Sequence, residues 1–136
     1  FDCFANSFCL SADVSNAYDP NFAGTCDKRN NSLLNYGVSI CKYTGRGGKG
    51  GASDASAEVM GHIRTTFDNA GVIWQIATLG KVDQGGGGTV AAYMANRNIP
   101  TVDAGVPVLN MHAPAELVSK LDCYETMLAC KAIYLA

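Results

Sequence analysis

The order of apolar segments along this 136-residue chain predicts an α/β domain, a mixed sheet flanked by helices. Short apolar runs, typical of buried strands, alternate with segments whose apolar residues recur every three to four positions, as in helices. Glycine, proline and asparagine separate these segments. With 48% hydrophobic and 16% charged residues, the chain can bury a core. We therefore expect residues 1–136 to form one domain, or most of one.

The first predicted elements are two strands. Residues 7–12 form a short apolar run that ends at Asp13, which indicates a buried strand followed by a carboxylate. The sequence Asp19-Pro20-Asn21 is typical of a turn. Residues 37–43 predict the second strand, and the glycine-rich segment 44–51 predicts a flexible loop.

A helix is predicted after this loop. Ser53 is its expected N-cap and Gly71 its expected end. Its apolar face is formed by residues at helical spacing, namely Val59, Met60, Ile63 and Phe67. For the rest of the chain we expect strands over residues 72–77, 101–103 and 106–111, and helices over residues 89–96 and from Pro114, a favoured first helical position, to the end.

Composition argues against several classes of function. A net charge of −2, with both signs spread along the chain, provides no basic stripe for nucleic acid. No run approaches the roughly 20 apolar residues that span a bilayer, so we expect no membrane partner. The chain opens at Phe1, in apolar sequence and without an initiator methionine. We expect it to be a portion of a longer protein.

The six cysteines leave two states open, a disulfide framework or free thiols. They are irregularly spaced and include no C-x-x-C pair. Several stand in apolar runs, where a free cysteine behaves as a small hydrophobe. We expect reduced thiols, and hence a cytoplasmic protein.

Two glycine-rich segments could hold a nucleotide, but neither has the required spacing. Residues 45–50 include a Gly-Lys step without the Ser or Thr that should follow it. Residues 85–88 precede a predicted helix but lack the G-x-G-x-x-G order. A wall where backbone approaches a substrate closely is a better use for the second segment, and a plain flexible turn is the alternative.

Two residues, Asp13 and His112, stand at predicted strand ends, where α/β folds locate their chemistry. Asp13 leaves a buried strand, where a carboxylate is costly unless it pairs or binds a metal ion. His112 follows the 106–111 strand. Together they offer one oxygen and one nitrogen ligand, which suits zinc but is too few to hold it. His62, the only other histidine, lies on the predicted helix, where a surface or packing role is expected.

Four motifs occur in a fixed order and jointly resemble one family. They are SADVSNAYDPNF at 11–22, KYTG at 42–45, LGKVDQGGGGT at 79–89 and NMHAP at 110–114. This order is similar to that in the C-terminal third of bacterial members of the aspartyl aminopeptidase and vacuolar aminopeptidase I family. The resemblance covers nearly the whole chain. It implies the C-terminal part of a zinc-peptidase catalytic domain with a phosphorylase/hydrolase-like fold.

The resemblance also implies a function and a set of ligands. Two divalent metal ions, expected to be zinc, would activate a water for attack on the first peptide bond of a peptide substrate. Asp13 would be a terminal ligand of one ion, and His112 a ligand of the other. The remaining ligands and a glutamate general base would lie upstream of Phe1. The implied partners are the N-terminal remainder of the protein and further copies of it, in a tetrahedral dodecamer.

Departures from the family pattern concern the substrate pocket. Eukaryotic members carry histidines at the positions of Asn16 and Asp19, and the first is associated with that pocket. A strict preference for acidic N-terminal residues is therefore not implied here. Lys42 aligns with a pocket lysine, although a solvated lysine at a strand end is the alternative. Asn16, Lys42, Gly85 and Gly86 are thus the candidate substrate-binding residues.

The main alternative to a peptidase subunit is a non-catalytic scaffold or interaction domain that keeps the fold. An H-x-D-like motif, a bridging aspartate and a Glu-Glu pair in upstream sequence would favour the enzyme. A nucleotide-binding domain is a third alternative, which a nucleotide-binding assay distinguishes.

Overall fold

A computed structural model describes residues 2–44, 53–81, 84 and 86–136 of the chain. It confirms the predicted α/β class, with mixed sheets flanked by helices. In chain order the elements are α1 (Asp2–Ala5), β1 (Cys9–Ser11), β2 (Ser15–Asn16), a 3-10 helix (Pro20–Thr25), β3 (Val38–Cys41), α2 (Ala57–Ala70), β4 (Trp74–Ala77), α3 (Ala91–Ala95), β5 (Thr101–Gly105), β6 (Pro107–Leu109), β7 (Leu117–Val118) and α4 (Lys120–Leu135).

The larger sheet has the strand order β1-β5-β3-β4. β1 pairs with β5 and β3 pairs with β4 in parallel, whereas β3 and β5 are antiparallel. The sheet therefore consists of two parallel pairs that run in opposite directions. A smaller sheet has the order β2-β6-β7. Only Val106 separates β5 from β6, so the chain passes directly from one sheet to the other.

The hydrophobic core lies between the larger sheet and the two long helices. The predicted apolar face of α2 is confirmed, since Val59, Ile63 and Phe67 are buried and Met60 packs against the same cluster. α4 packs against both α2 and β3. The core members are Val38, Ile40, Ala55, Val59, Ile63, Phe67, Val72, Val102, Ala104, Ala129 and Ala132.

The start of α2 differs from the prediction. Its N-cap is Ser56, whose side chain accepts the backbone N–H of Val59, and not Ser53. Ser53 is excluded because it takes part in pairing with residues 42–44: its carbonyl accepts the N–H of Thr44, and the next residue, Asp54, forms a bridge with Tyr43. The end of the helix at Gly71 is confirmed, with a left-handed φ of 69° that glycine adopts without strain. Apart from Thr44, the predicted loop 44–51 lies outside the described residues.

The last helix was predicted to start at Pro114, and this is wrong. Residues 110–116 form turns, β7 follows, and α4 begins at Lys120 with Ser119 as its N-cap. Leu117 and Val118 pair with β6, which requires extended backbone where a helix was expected. The fixed φ of proline suits a turn as well as a first helical position, so Pro114 did not distinguish the two.

Several short elements carry no sequence periodicity and were not predicted. They are α1, β2 and β7, which contain two to four residues each. The turn predicted at Asp19 is a 3-10 helix, which that residue caps by accepting the N–H of Asn21 at 2.8 Å. No helix within the described residues combines the length and the apolar character that crossing a membrane requires.

Candidate metal centre

Asp13 follows β1 and is exposed, so the cost of burial that the sequence suggested for its carboxylate does not apply. Its Oδ1 accepts the backbone N–H of Val14 at 2.8 Å, which orients the carboxylate. The neighbouring strand β5 approaches closely, since a Cβ at Gly105 would lie 1.9 Å from the carbonyl oxygen of Asp13. Glycine is therefore required at position 105, because any side chain there would collide with the Asp13 backbone.

His112 lies in the turn between β6 and β7, and its side chain is exposed. Its backbone has a φ of 68°, and that of Asn110 has a φ of 60°, both in the left-handed region that disfavours side chains. Glu116 stabilises the turn, because its Oε1 accepts the N–H of His112 at 2.6 Å. Strain held in place by neighbouring contacts is a feature of functional sites.

Asp13 and His112 line the same cavity, which has a volume of about 310 Å³. The smaller sheet helps to bring them together, since β2 follows Asp13 and pairs with β6, which precedes His112. The other lining residues are Val14, Asn16, Leu79, Gly80, Gly86, Gly87, Gly88, Thr89 and Met111. The cavity thus unites four of the six residues that the sequence marked as candidates. Gly85, a fifth, lies outside the described residues.

Asn16 is held at the cavity wall by its own neighbours. Its Nδ2 donates to the Sγ of Cys26 at 3.6 Å, and its carbonyl oxygen accepts the hydroxyl of Ser32 at 2.9 Å. The position predicted to contact substrate therefore carries a neutral amide in a fixed setting.

Lys42 does not line this cavity. Its Nζ forms an ion pair with Asp54, across the two extended segments that flank the loop. Strand register explains the separation. Gly105, which contacts Asp13, pairs with Ser39, whereas Cys41 pairs with Asp103, so β3 runs away from Asp13 as it approaches Lys42. A role for Lys42 in substrate binding stays a prediction.

Asp103 is a residue of this region that the sequence did not single out. It is only 4% exposed, and its Oδ2 accepts the hydroxyl of Thr89 at 2.9 Å. Burial raises the pKa of its carboxyl, and the nearby charge of Asp13 raises this pKa further; the hydroxyls of Ser11 and Thr89 lower it. The signal that marked Asp13, an apolar strand with a carboxylate near its end, also applies to Asp103 and could have identified it.

His62 lies on α2, where the sequence placed it, and does not line the cavity. Its ring makes an edge contact with Phe8, with 5.6 Å between the ring centroids. The packing role expected of His62 is consistent with this contact.

The chemistry of Asp13 and His112 fits a metal ion, because zinc is bound by carboxylate oxygens and imidazole nitrogens. A complete site needs more ligands than these two. Within the described ranges, no three His, Cys, Asp or Glu side chains cluster closely enough to hold a metal ion. The described part of the chain therefore offers two candidate ligand side chains and not a whole metal site.

Known proteins are similar to this chain in sequence and in fold. The profile of the family described as "Aminopeptidase I zinc metalloprotease (M18)" matches residues 2–134. A Borreliella burgdorferi (strain ZS7) relative named "Probable M18 family aminopeptidase 1" is 50% identical over 129 residues, which are 95% of this chain and 28% of the relative. The crystal structure of aminopeptidase I from Clostridium acetobutylicum is 48% identical with a TM-score of 0.90, and the match covers 94% of this chain and 28% of that chain.

A more distant structure, the S. cerevisiae mApe1 dodecamer, has the same fold. It is 21% identical with a TM-score of 0.74, and the match covers 97% of this chain and 27% of that chain. This chain thus spans little more than a quarter of the length of the relatives that it matches.

Proposed function

Because this chain belongs to the aminopeptidase I zinc metalloprotease (M18) family, we propose that it forms part of an enzyme that removes N-terminal residues from peptides. Within that enzyme, Asp13 would bind one of two metal ions and His112 the other. The observation that carries this proposal is the cavity that both side chains line. Zinc is the expected metal, which the description of the family supports.

The residues of this chain would hold the metal ions and orient their ligands, and they would not transfer protons during the reaction. The Val14 N–H fixes the Asp13 carboxylate through Oδ1, and Glu116 fixes the turn that carries His112. When bound, divalent metal ions polarise a carbonyl and lower the pKa of a water molecule. The general base and the remaining ligands would be supplied by residues outside this chain, as the family resemblance implies.

The cavity also suggests how a peptide is held. Its wall at Gly86, Gly87 and Gly88 lacks side chains, so a substrate backbone could approach it closely. Asn16 contributes a neutral amide and Lys42 lies outside this cavity, so among the residues that the structure describes no lysine or arginine lines it to select an acidic residue. We expect the complete enzyme to accept neutral as well as acidic N-terminal residues.

Assembly into a homo-oligomer, and into a dodecamer in particular, is part of the proposal. The dodecameric S. cerevisiae structure shares the fold. In this chain α4 leaves large apolar side chains exposed, with Leu121 66%, Tyr124 56% and Tyr134 88% accessible. Exposed apolar patches are typical of interaction surfaces. All six cysteines are free, which suits the cytoplasmic location that we propose.

A chelation experiment on the complete protein tests the function. Hydrolysis of leucine and glutamate p-nitroanilides should disappear on treatment with a chelator and return when zinc is added. An N-acetylated peptide is the matched control and should stay intact, because an aminopeptidase needs the free amine. A zinc-loaded protein that hydrolyses none of these substrates would favour the non-catalytic scaffold instead.

A further inference from the structure

The glycine wall of the cavity has few contacts of its own. Among the described residues, no hydrogen bond holds the backbone of Gly86, Gly87 or Gly88. A Cβ at Gly87 would meet nothing within 4 Å, so packing does not hold that position either. The wall must be anchored at its ends if it is to present one shape to a ligand.

Thr89 provides such an anchor at the end of the wall. It lines the cavity beside Gly88, and its hydroxyl donates to the Oδ2 of Asp103 at 2.9 Å. The same hydroxyl accepts the N–H of Ala91 at 3.3 Å, which joins the wall to the start of α3. One side chain thus connects the glycine wall, a helix and the central strand β5.

A carboxylate is a costly group to place at this point. Asp103 is buried, and among the described residues its Oδ1 accepts no hydrogen bond of normal geometry, although the nearby Ser11 hydroxyl lowers the pKa of the carboxyl. A buried group of this kind destabilises the fold unless another contact compensates for it. Burial also raises the pKa of the carboxyl, because the charged form is less well solvated there than in water. A neutral side chain at this position would cost the sheet less, so the contact with Thr89 points to a role for the carboxylate in the site.

We propose that Asp103 is a positioning residue, which acts through Thr89 to fix the glycine wall and thereby sets how firmly the cavity holds a substrate backbone. This assignment rests on the proposed peptidase function, because it concerns the same cavity. Asp103 itself does not line the cavity and would touch neither substrate nor metal.

Steady-state kinetics of the complete, zinc-loaded protein provide the first test. Thr89→Val removes the hydroxyl and keeps the shape, so KM should rise by about tenfold, the effect of losing one hydrogen bond to a charged group. Turnover and zinc content should remain near those of the wild type, since neither proposed metal ligand is altered. Thr89→Ser restores the hydroxyl and should restore KM. A Thr89→Val variant with unchanged KM, or with lost zinc, would overturn the proposal.

Hydrogen exchange provides a second test that does not depend on activity. In the Thr89→Val protein, the amides of Ala91 and Ala92, which donate hydrogen bonds to Thr89, should exchange faster, whereas those of β3 should not change. This measurement remains decisive even where the wild type proves not to be a peptidase, so the two proposals can fail separately. A raised KM without faster exchange would show that Thr89 contacts the substrate directly, which also counts against a positioning role.

A double-mutant cycle tests whether Asp103 and Thr89 act through the same contact. Asp103→Ala combined with Thr89→Val should raise KM no further than the more severe single change, because both remove the same contact. Additive effects would show that the two residues act independently and would contradict the proposal.

Discussion

The carboxylate of Asp122, in the first turn of α4, accepts the backbone N–H of Gly37 at 2.8 Å. Its other oxygen accepts the N–H of Asn35, also at 2.8 Å. Asp122 is 1% exposed, so this contact is buried and joins the last helix to the turn that leads into β3. One side chain thus fixes two distant parts of the chain to each other.

Asp122→Ala should therefore be among the most destabilising single changes. It leaves two backbone N–H groups without their acceptor, and bonds to charged groups contribute roughly 1.5–3 kcal/mol each. We expect the free energy of unfolding to fall by about 2–4 kcal/mol, measured by urea denaturation. Asp2→Ala is the control, since Asp2 is an exposed carboxylate in the first turn of α1. Equal effects of the two changes would mean that the buried contact contributes little.

His112→Ala in the complete protein should abolish hydrolysis and lower metal content while most of the stability remains. The change removes the proposed imidazole ligand, but the His112 side chain is exposed, so little packing is lost. His62→Ala is the matched control, because it removes the other histidine from a helix outside the cavity. Activity assays and metal analysis of both variants distinguish a metal ligand from a histidine with only a packing role. Near-normal turnover of His112→Ala would contradict its assignment as a metal ligand.

The 136-residue chain alone should bind zinc weakly. Asp13 and His112, which line one cavity, would supply two ligands where a stable site needs about four. After dialysis, metal analysis should find far fewer than two zinc ions per chain. Tight, stoichiometric zinc would show that the ligand set proposed for this chain is incomplete.

Gly87→Ala tests whether the glycine wall faces a substrate. A Cβ at this position meets nothing within 4 Å, so the fold should tolerate it, and since Gly87 lines the cavity the added methyl group should hinder a substrate there. We expect stability to change by no more than about 0.5 kcal/mol and KM to rise severalfold. Gly61→Ala on α2 is the control, with equal free space and a position away from the cavity. An unchanged KM for Gly87→Ala would favour a plain turn.

The cysteines should be reduced and should differ in reactivity. Mass spectrometry under non-reducing conditions should find no disulfide. Burial raises the pKa of the Cys41 thiol, and the charges of Asp103 and Asp13 raise it further, so little thiolate forms there. Iodoacetamide at pH 8 should therefore modify the exposed Cys3 and Cys123 first and Cys41 only after unfolding. Rapid modification of Cys41 in the folded protein would contradict the structure around it.

Sequence patterns predicted the fold best where a residue has a single structural use. Gly71 ended α2 as expected because few residues other than glycine adopt its left-handed φ. The helix start predicted at Pro114 was wrong because the φ of proline suits both a helix start and a turn. The pairing of β7 with β6 determines that a turn forms here. The N-cap predicted at Ser53 was wrong because two serines, Ser53 and Ser56, precede α2. Only the hydrogen bond between Ser53 and Thr44 excludes the first of them.

The candidate site was predicted only where local sequence identifies a residue, and not where its position depends on tertiary pairing. Asp13 and His112 stand at strand ends, which sequence reveals, and the structure places both at one cavity. The path of β3 depends on its antiparallel pairing with β5, which no local pattern encodes, so the distance of Lys42 from the cavity could not be foreseen. The contact between Thr89 and Asp103 depends equally on how α3 lies over the sheet.

The pairing of β1 with β5 has a consequence for how the chain folds. Cys9 lies opposite Thr101, so the two strands meet only after most of the chain has closed into a loop. Contacts between residues so distant in sequence form slowly, because loop entropy opposes them until the pairing is complete. Asp13 follows β1, and His112 follows β6, which continues directly from β5. Both side chains therefore reach the cavity late, and metal ions should be acquired by a sheet that has already folded and not by the nascent chain.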